Sequence, residues 1–394
     1  MKKICFLVDS VFTIGGVQRV TAVIAKALSA DHDVTIVTFD SPSLKDTSIY
    51  GLRDARIAYR FFAYPRVGAF ETLVCKAYSA FYRYMRPRWQ WSSNLYALSS
   101  FPRPLRRSLA NELRCGHYDT IVGVHAPLAA RLATVRPMLG NGVRCIGWIH
   151  NSFDALFSPA SLYIGPQLKR HYMLQMRKLD CTVVLSQNDA KKWQDGERDV
   201  KPGSNVIVIH NPLTLTPGPV SAGRSKRFLA VGRMSRMHKG FDLLIDAFNI
   251  FAKSDDEWKL DIVGEGTEEQ MLREKIAGYG LQQRIALHHF TNNIQEYYSQ
   301  AQVYVLSSRW EGFGLVLVEA MAHGLPVVSS DLPTSREIMG DAALYFPTGD
   351  AEALARQLQA ATRLDWHIKS AESLSIARRF SSDCIIGQWN VIID

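Results

Sequence analysis

Two successive groups of short apolar runs, separated by stretches with helical spacing, constrain the fold of this chain most strongly. The first group occupies residues 3–9, 33–39, 119–124, 143–150, 181–186 and 205–210, and the second occupies 227–232, 258–264, 284–289, 302–308, 326–330 and 343–346. The runs are apolar almost throughout, which is typical of strands covered on both faces of a parallel sheet. Regular alternation of strand and helix indicates right-handed βαβ units. We therefore predict an α/β fold with two doubly wound domains in tandem.

A change in composition marks the domain boundaries. A single hydrophobic core seldom exceeds ~250–300 residues, so the 394 residues of this chain indicate two domains. Residues 211–226 are rich in proline, glycine and serine and lack apolar periodicity, which indicates a linker. We predict a first domain at 1–212, a linker at 213–226, a second domain at 227–364, and C-terminal helices at 365–394 that pack back on the first domain.

The cysteines and the hydropathy pattern favour a cytoplasmic protein. The six cysteines are scattered, several of them within apolar runs, which suits buried thiols in a reducing compartment better than a disulfide framework or a zinc site. The apolar run at 4–8 is too short for a signal peptide, and Asp9 interrupts it. No apolar stretch approaches the ~18–20 residues that span a bilayer.

Candidate ligand-binding residues follow the predicted strands, because open α/β sheets bind ligands at the carboxyl ends of their strands. Gly15 and Gly16 lie between the first strand and a helix, where backbone N–H groups can approach an anion. The pair matches neither the dinucleotide-binding glycine pattern nor the phosphate-loop motif with its lysine. A tight strand-to-helix turn is the alternative interpretation.

Two cations follow the first strand of the second domain. Arg233 lies at the strand end, and Lys239 opens the next helix. A guanidinium and an ammonium group that converge at this edge could neutralise a diphosphate. Solvated surface charge is the alternative.

The most specific stretch of the sequence is Glu311-Gly-Phe-Gly-Leu-x-Leu-x-Glu319, in which two glutamates are separated by seven residues. The glycines permit close backbone approach, and Leu315–Ala322 is predicted to form a buried helix whose first N–H groups face phosphate or sugar oxygens. Glu319 lies on the apolar helix, where an unpaired carboxylate is costly. A ribose diol would satisfy it, and Glu311 could accept from sugar hydroxyls. Structural carboxylates with local partners are the alternative.

Together, the double glycine, Val-Gly-Arg…Lys-Gly and the glutamate motif resemble the retaining glycosyltransferases of family four. The resemblance covers nearly the whole chain and implies the GT-B fold, two Rossmann-like domains that face each other across a cleft. It implies that Arg233 and Lys239 bind the donor diphosphate, that Glu319 binds the nucleotide ribose, and that Gly16 approaches the phosphate. It also implies that Glu311 and the backbone N–H groups of Phe313, Gly314 and Leu315 bind the donor sugar.

Further residues are assigned by the same resemblance. His150, at a strand end in Gly-Trp-Ile-His-Asn, matches the family histidine beside the sugar, and Asn211 matches an asparagine at the interdomain hinge. Family members commonly carry glycine where this chain has Thr291, in the loop against which the base packs. Asn292 and Ile294 are the expected base contacts. We name Glu311, His150, Arg233 and Lys239 as the predicted catalytic set.

The resemblance implies transfer of a hexose-type sugar, with retention, from a nucleotide-diphosphate sugar. UDP is the expected nucleotide, and a lipid-linked glycan of a bacterial surface polysaccharide is the expected acceptor. The Asp31-His32-Asp33 triplet precedes a strand, away from the ligand edge, so we expect neither a metal nor another cofactor. The alternatives are an epimerase or phosphorylase of the same fold, or a non-catalytic partner in an envelope assembly complex.

A basic aromatic segment at 53–107 holds most of the net charge of +9. Between residues 51 and 120, twelve Lys/Arg and four Asp/Glu give 12 − 4 = +8. Arginines interleaved with aromatic residues suit an anionic membrane surface, which would place the protein at the inner face of the plasma membrane. Solvated arginines with aromatic rings packed inward are an alternative. Single-stranded nucleic acid is a third, and we expect no nucleic-acid partner.

Overall fold

The computed structural model describes residues 1–87, 89–159, 161, 163–195 and 205–393. The chain divides into two compact units. The first unit contains Met1–Pro212 and the C-terminal segment from Ser382, and the second unit contains Leu213–Ser381.

The first unit is built on a parallel sheet of seven strands in the order β3-β2-β1-β4-β5-β6-β7. The strands are β1 (Lys3–Val8), β2 (Asp33–Thr38), β3 (Ile57–Phe61), β4 (Thr120–Val124), β5 (Arg144–Trp148), β6 (Cys181–Val184) and β7 (Val206–Val208). The helices are α1 (Gly16–Leu28), α2 (Ala69–Met85), α3 (Gln90–Ser100), α4 (Arg103–Cys115), α5 (Ala126–Val135), α6 (Phe153–Phe157), α7 (Lys169–Met176) and α8 (Gln187–Asp195). Short 3-10 helices lie at Pro42–Leu44, Ile49–Asp54, Arg136–Met138 and Pro166–Leu168.

The second unit repeats this plan with six parallel strands in the order β10-β9-β8-β11-β12-β13. The strands are β8 (Arg227–Val231), β9 (Lys259–Val263), β10 (Ile285–His288), β11 (Val303–Leu306), β12 (Val327–Ser330) and β13 (Leu344–Phe346). The helices are α9 (Arg236–Lys239), α10 (Phe241–Phe251), α11 (Glu269–Gly278), α12 (Ile294–Gln300), α13 (Leu315–Ala322), α14 (Pro333–Met339), α15 (Ala351–Ala361) and α16 (Trp366–Arg378), with a 3-10 helix at Gly340–Ala342.

Both strand orders reverse direction once, as in doubly wound Rossmann sheets. The reversal falls between β1 and β4 in the first sheet and between β8 and β11 in the second. The central strands β4, β6, β11 and β12 are buried along their whole length, because helices cover both faces of each sheet. The predicted fold of two Rossmann-like domains is confirmed, and each of the twelve predicted apolar runs contains one strand.

The C-terminal segment divides between the units. Helix α16 packs on α13 in the second unit, where the Ser373 hydroxyl donates to the Leu325 carbonyl at 2.9 Å. Helix α17 (Ser382–Ile393) packs on α1 in the first unit. There the Trp389 ring lies 4.7 Å from the Trp148 ring and 6.4 Å from the Phe6 ring. Of the C-terminal helices predicted to return to the first domain, α17 alone belongs to that unit.

The segment predicted as a linker, 213–226, lies within the second unit and forms no helix or strand. The Gly218 N–H donates to His323 Nε2 at 3.0 Å, and the Ser221 N–H donates to the His323 carbonyl at 3.0 Å. The Ser299 hydroxyl donates to the Pro219 carbonyl at 2.9 Å. The segment is therefore bound along the side of the second unit and cannot act as a free tether throughout its length.

One strand was not predicted. β3 pairs with β2 at the edge of the first sheet, and its side chains alternate between exposed and half-buried. Arg60 of β3 forms an ion pair with Glu112 of α4. This alternation follows from its edge position, so the strand lacks the continuous apolar run that marked the other strands.

Candidate active site in the second unit

The candidate site begins with an ion pair at the carboxyl ends of β8 and β11. Lys239 follows β8 and Glu311 follows β11, and the Lys239 Nζ atom lies 2.6 Å from Glu311 Oε1. The Ser308 hydroxyl donates to the same carboxylate oxygen at 2.6 Å. Because β8 and β11 flank the point where the strand order reverses, the pair occupies the position where sheets of this kind bind ligands.

Both side chains of this pair are largely buried, with 19% of the Lys239 side chain and 12% of the Glu311 side chain exposed. Within the described residues, Glu311 Oε2 has no hydrogen-bond donor. The Arg233 side chain, just after β8, is exposed and makes no hydrogen bond or ion pair with a described residue. One carboxylate oxygen and one guanidinium group are therefore available to a ligand at this edge.

The loop that carries Glu311 is attached to the segment that carries Lys239. The Ser307 hydroxyl donates to the Lys239 carbonyl at 2.8 Å, and the Arg309 N–H donates to the His238 carbonyl at 2.7 Å. The Arg309 guanidinium contacts both oxygens of Asp242, each at 3.1 Å. This two-pronged contact fixes the loop to the start of α10.

Two glycines shape this region through left-handed backbone conformations. Gly240, between α9 and α10, has φ 61°, and a Cβ atom there would lie 2.3 Å from the Ser307 carbonyl oxygen. Gly314 has φ 85° and precedes α13. A residue other than glycine would be strained at either position.

Glu319 lies on α13 and is almost completely buried, with 2% exposure. The Tyr298 hydroxyl donates to Glu319 Oε2 at 2.9 Å, and the Thr214 hydroxyl donates to Oε1 at 3.4 Å. The protein itself supplies donors to this carboxylate, as the alternative of a structural carboxylate with local partners expects, and the contact of Glu319 with a ribose diol stays a prediction. A ribose would add to these contacts or replace them.

His323, at the end of α13, links this helix to the preceding segment. It is fully buried, and burial lowers its pKa. Nε2 accepts from the Gly218 N–H at 3.0 Å, so the ring proton resides on Nδ1, which donates to the Glu319 carbonyl at 2.7 Å. The neutral imidazole thus connects Glu319 to the segment 213–226.

The start of α13 presents backbone donors. The N–H groups of Gly314 and Leu315 donate in no hydrogen bond among the described residues, as the first turn of a helix requires. The Phe313 ring is buried and packs edge-on against Phe380 at 5.5 Å. Phe313 therefore anchors the loop through its side chain.

The predicted base contacts lie in the loop after β10. Asn292 is exposed, and Ile294 is the first residue of α12. The Asn293 N–H donates to the Thr291 hydroxyl at 3.0 Å, which shapes the turn before α12. Within the described part of the chain, no hydrogen bond joins Asn292 or Ile294 to Lys239 or Glu311.

In the first unit, His150 lies just beyond the carboxyl end of β5 and is 7% exposed. Its ring lies 4.3 Å from the Trp148 ring and 5.4 Å from the His125 ring. Burial, and to a smaller extent His125, lowers the pKa of His150 well below its ordinary value. Its Nε2 atom is buried without a hydrogen-bond partner among the described residues, as is Oδ1 of the buried Asn211.

The double glycine lies at the start of α1, as predicted. Gly15 precedes the helix and Gly16 is its first residue. The Gly15 N–H donates to the Tyr50 hydroxyl at 2.8 Å, and that hydroxyl lies 3.1 Å from the Thr13 carbonyl. Tyr50, in the 3-10 helix Ile49–Asp54, has a left-handed backbone with φ 57°. The Tyr50 hydroxyl therefore fixes the glycine loop through hydrogen bonds to the backbone of Thr13 and Gly15.

Sequence reasoning missed several residues that shape these sites. His125 follows β4 directly and could have been found by the strand-end argument that identified His150. Tyr50, Tyr298 and Arg309 carry no comparable signal.

A metal site is not evident in the described residues, since no group of three or more His, Cys, Asp or Glu side chains there could hold an ion. The Asp31-His32-Asp33 triplet lies at the amino end of β2, where His32 Nδ1 accepts from the Lys2 N–H at 3.2 Å. The helices of the described chain likewise include none with the length and hydropathy needed to cross a membrane.

Comparison with solved structures supports the fold. An Anabaena protein, HepE, solved with UDP and glucose, is 19% identical, with a TM-score of 0.72 over 99% of both chains. The apo form of the lipopolysaccharide outer core galactosyltransferase WaaB is 17% identical, with a TM-score of 0.68 over 99% of both chains.

Curated relatives are similar in sequence. An uncharacterized glycosyltransferase of Haemophilus influenzae is 26% identical over 343 residues, which cover 84% of this chain and 80% of the relative. The amylovoran biosynthesis glycosyltransferase AmsD of Erwinia amylovora is 31% identical over 219 residues, which cover 54% of this chain and 61% of AmsD.

Two family models match consecutive parts of the chain. Glycosyl transferases group 1 matches residues 217–378, the part that contains Lys239, Glu311 and Glu319. Glycosyltransferase Family 4 matches residues 14–216, which is more than half of the 394 residues. The chain therefore belongs to glycosyltransferase family 4 and has the GT-B fold.

Proposed function

We propose that this protein transfers a hexose-type sugar, with retention of configuration and without a metal, from a UDP-sugar to a hydroxyl group of a lipid-linked glycan at the inner face of the plasma membrane. The product would be part of a bacterial surface polysaccharide. The observation that carries the proposal is the ion pair of Lys239 and Glu311, 2.6 Å apart at the point where the second sheet reverses its strand order.

The donor fits the charges at this edge. A nucleotide diphosphate carries negative charge, which Lys239 and the exposed Arg233 would neutralise. The free N–H groups of Gly314 and Leu315 would add donors at the start of α13. The unpaired oxygen of Glu311 would accept from a sugar hydroxyl.

The choice of UDP and of the acceptor class draws on the relatives. HepE was solved with UDP and glucose, AmsD is named for amylovoran biosynthesis, and WaaB is a lipopolysaccharide outer core galactosyltransferase. Contacts from Gly16, His150, Asn292 and Ile294 to the donor stay predictions.

The reaction requires the charge on the departing phosphate to be stabilised. The acceptor oxygen would form a bond to the anomeric carbon on the face from which UDP departs, the sugar–phosphate bond would break, and the hydroxyl proton would pass to the leaving phosphate. Lys239 and Arg233 would stabilise the developing charge as preorganised cations. In this scheme protein cations take the role that a divalent metal has in other transferases.

A nucleotide-binding experiment tests the donor. A ligand that binds only the folded protein stabilises it by about 2.7 kcal/mol at a hundredfold excess over Kd. We expect UDP to raise the melting temperature more than GDP or ADP. Lys239→Ala should abolish the shift, whereas the matched change at the exposed Lys253 should preserve it. Absence of stabilisation by any nucleotide would refute the donor assignment.

Two further measurements test the chemistry. Activity should persist in EDTA, and loss of activity that a divalent metal restores would refute the metal-independent scheme. NMR of the glycoside product should show the anomeric configuration of the donor, and an inverted product would refute retention. UDP release without any glycoside product would favour an enzyme other than a transferase.

A further inference from the structure

Helices α2 and α3 direct apolar side chains toward solvent. They are packed neighbours in the first unit and lie inside the basic aromatic segment 53–107. Elsewhere in that segment, β3 pairs with β2, and residues 103–107 form the start of α4, which buries Leu109 and Leu113 beyond the end of the segment. The part of segment 53–107 that exposes large apolar side chains is therefore α2, α3 and the turn between them.

The large apolar residues that α2 exposes fall on a single face. Their spacing follows the helical repeat, so they form a continuous outward stripe along the helix. We define the outward apolar surface as this stripe together with its neighbours in the turn and α3: Phe70, Leu73, Val74, Phe81, Tyr84, Met85, Trp89, Trp91, Leu95 and Leu98. These ten residues are nearly half of the 22 large hydrophobic side chains that are exposed in the described chain, which makes the surface a concentrated patch.

The opposite face of the helices is already packed. The Tyr82 and Tyr96 rings stack at 4.5 Å, and both belong to a buried cluster that includes Leu168. The Ser93 hydroxyl lies 3.0 Å from His171 Nδ1 of α7. Helices α2 and α3 thus already pack on the first unit through this inner face. A small rotation of the helices could not bury the outward apolar surface without exposing the inner face.

Three strongly exposed aromatic side chains lie in or beside the turn between the helices. Tyr84 is 85% exposed, and Trp89 and Trp91 are 65% and 61% exposed. The two tryptophan rings stack on each other at 5.7 Å with an angle of 9°. Tyrosine and tryptophan are the side chains that favour the headgroup level of a bilayer.

The positive charge around α2 and α3 favours an anionic bilayer over a second copy of the chain as the partner of this surface. Residues 66–107 contain eight Lys/Arg and one Glu. Of the basic residues that the structure describes here, six are exposed: Arg66, Lys76, Arg83, Arg86, Arg103 and Arg107. A second copy of the chain docked on the same surface would bring like charges together, whereas anionic lipid headgroups would pair with them.

We infer that the outward apolar surface is an interfacial anchor that inserts its aromatic turn into an anionic bilayer while the helices lie along the headgroups. Apolar burial and attraction to anionic lipid then act together, as in other interfacial helices. The inference deepens the proposed function, on which it rests for the lipid-linked acceptor, because the anchor would hold the enzyme where such an acceptor is presented.

Vesicle flotation at low salt tests the anchor. We expect the intact protein to float with vesicles of phosphatidylglycerol and phosphatidylcholine and to float much less with phosphatidylcholine alone. The triple variant Phe70→Ser, Phe81→Ser, Trp89→Ser should partition at least about tenfold more weakly. The control variant Leu44→Ser, Ile368→Ser alters two side chains outside the surface that are each 58% exposed, and it should float like the intact protein.

Two results would overturn the anchor. One is equal flotation of the triple variant and the intact protein. The other is no flotation of the intact protein with the anionic vesicles. If light scattering then shows a dimer that the triple variant dissociates, the surface is a contact between copies. Stabilisation by UDP should be the same in all variants. If UDP stabilises none of these proteins, including the intact one, the proposed function is refuted, whereas the conclusion from the flotation experiment is unaffected.

Discussion

The Lys239 ammonium group lies 2.6 Å from the Glu311 carboxylate, although 72 residues separate them along the chain. They meet because β8 and β11, whose carboxyl ends they follow, are adjacent parallel strands. Tyr304 of β11 is close to this site. Burial raises its pKa, and the nearby charges of Glu311 and Glu319 raise it further.

Removing the cation of this pair should harm both binding and stability. Lys239→Met leaves Glu311 largely buried, with Ser308 as its remaining donor. Because the pair is partly exposed, we expect unfolding free energy to fall by about 1–3 kcal/mol, below the ~3–5 kcal/mol of a fully buried pair. Nucleotide-dependent stabilisation should disappear. Urea titration and thermal shift with UDP measure the two effects.

Glu311→Gln provides the complementary variant. The amide oxygen can still accept from Lys239 and Ser308, so stability should change little. We expect kcat to fall by about 10²-fold or more if the carboxylate contacts the reacting sugar. A kcat equal to that of the unaltered enzyme would show that Glu311 only positions Lys239.

Tyr298 should be needed to keep the Glu319 carboxylate satisfied. Tyr298→Phe removes the hydroxyl that donates to Glu319 Oε2 at 2.9 Å, which leaves a buried carboxylate with one donor fewer. We expect a loss of about 1–3 kcal/mol in unfolding free energy. Tyr279→Phe, which removes an exposed hydroxyl bonded to Asp246, is the matched control and should cost less. Equal losses in the two variants would contradict the role of Tyr298.

Much of the framework is predictable because buried parallel strands and helices leave local patterns. Helix α13 occupies Leu315–Ala322, the range predicted from its apolar run and preceding glycines. β3 escaped prediction because an edge strand alternates in burial and resembles its polar surroundings. The packing of α2 and α3 also left no clear signal, since their apolar residues face outward.

The partners of the motif residues are less predictable, because contacts between distant parts of the chain leave no local pattern. Glu319 receives hydrogen bonds from residues 21 and 105 positions away, Tyr298 and Thr214. Thr214 belongs to a segment whose proline and glycine content indicated a linker. The composition correctly indicated that the segment forms no helix or strand, but it could not predict that the segment packs on the second unit.

Gly240→Ala should displace the loop that carries Glu311. The position has φ 61°, and the added Cβ would meet the Ser307 carbonyl oxygen at 2.3 Å. Both effects act against the native backbone, so we expect a loss of at least about 1–2 kcal/mol in stability. We also expect a higher KM for the donor. Gly278→Ala, where a Cβ would have no neighbour within 4 Å, is the control, and similar kinetics in the two variants would contradict this view of the loop.

Tyr50→Phe should loosen the glycine loop before α1. The variant loses the hydroxyl that accepts from the Gly15 N–H at 2.8 Å and keeps the ring in place. We expect faster amide exchange at Gly15 and Gly16, together with a several-fold change in the KM for the donor if this loop contacts phosphate. Hydrogen exchange read by NMR or mass spectrometry would detect the loosening. Unchanged exchange would show that Tyr50 does not hold the loop.

Two buried histidines, His150 and His171, and the half-buried His125 should make the first unit sensitive to acid. Burial, and to a smaller extent Lys178, lowers the pKa of His171 to about 3. Burial also lowers the pKa of His125 and of His150. An unfolded chain takes up a proton on each histidine below about pH 6.5, whereas these folded sites resist protonation. Stability is therefore fully present above pH ~6.5 and is lost as the pH falls toward the folded values.

His171→Asn isolates one of these contributions. The asparagine oxygen can accept from the Ser93 hydroxyl, which lies 3.0 Å from His171 Nδ1, but the side chain does not titrate. Each such histidine changes stability by up to ~1.4 kcal/mol per pH unit, so the drop in unfolding free energy from pH 7 to pH 5 should shrink by about 2 kcal/mol. Urea unfolding followed by fluorescence at the two pH values measures it. The exposed His367→Asn is the control, and an equal drop in both variants would show that His171 does not contribute to the acid sensitivity.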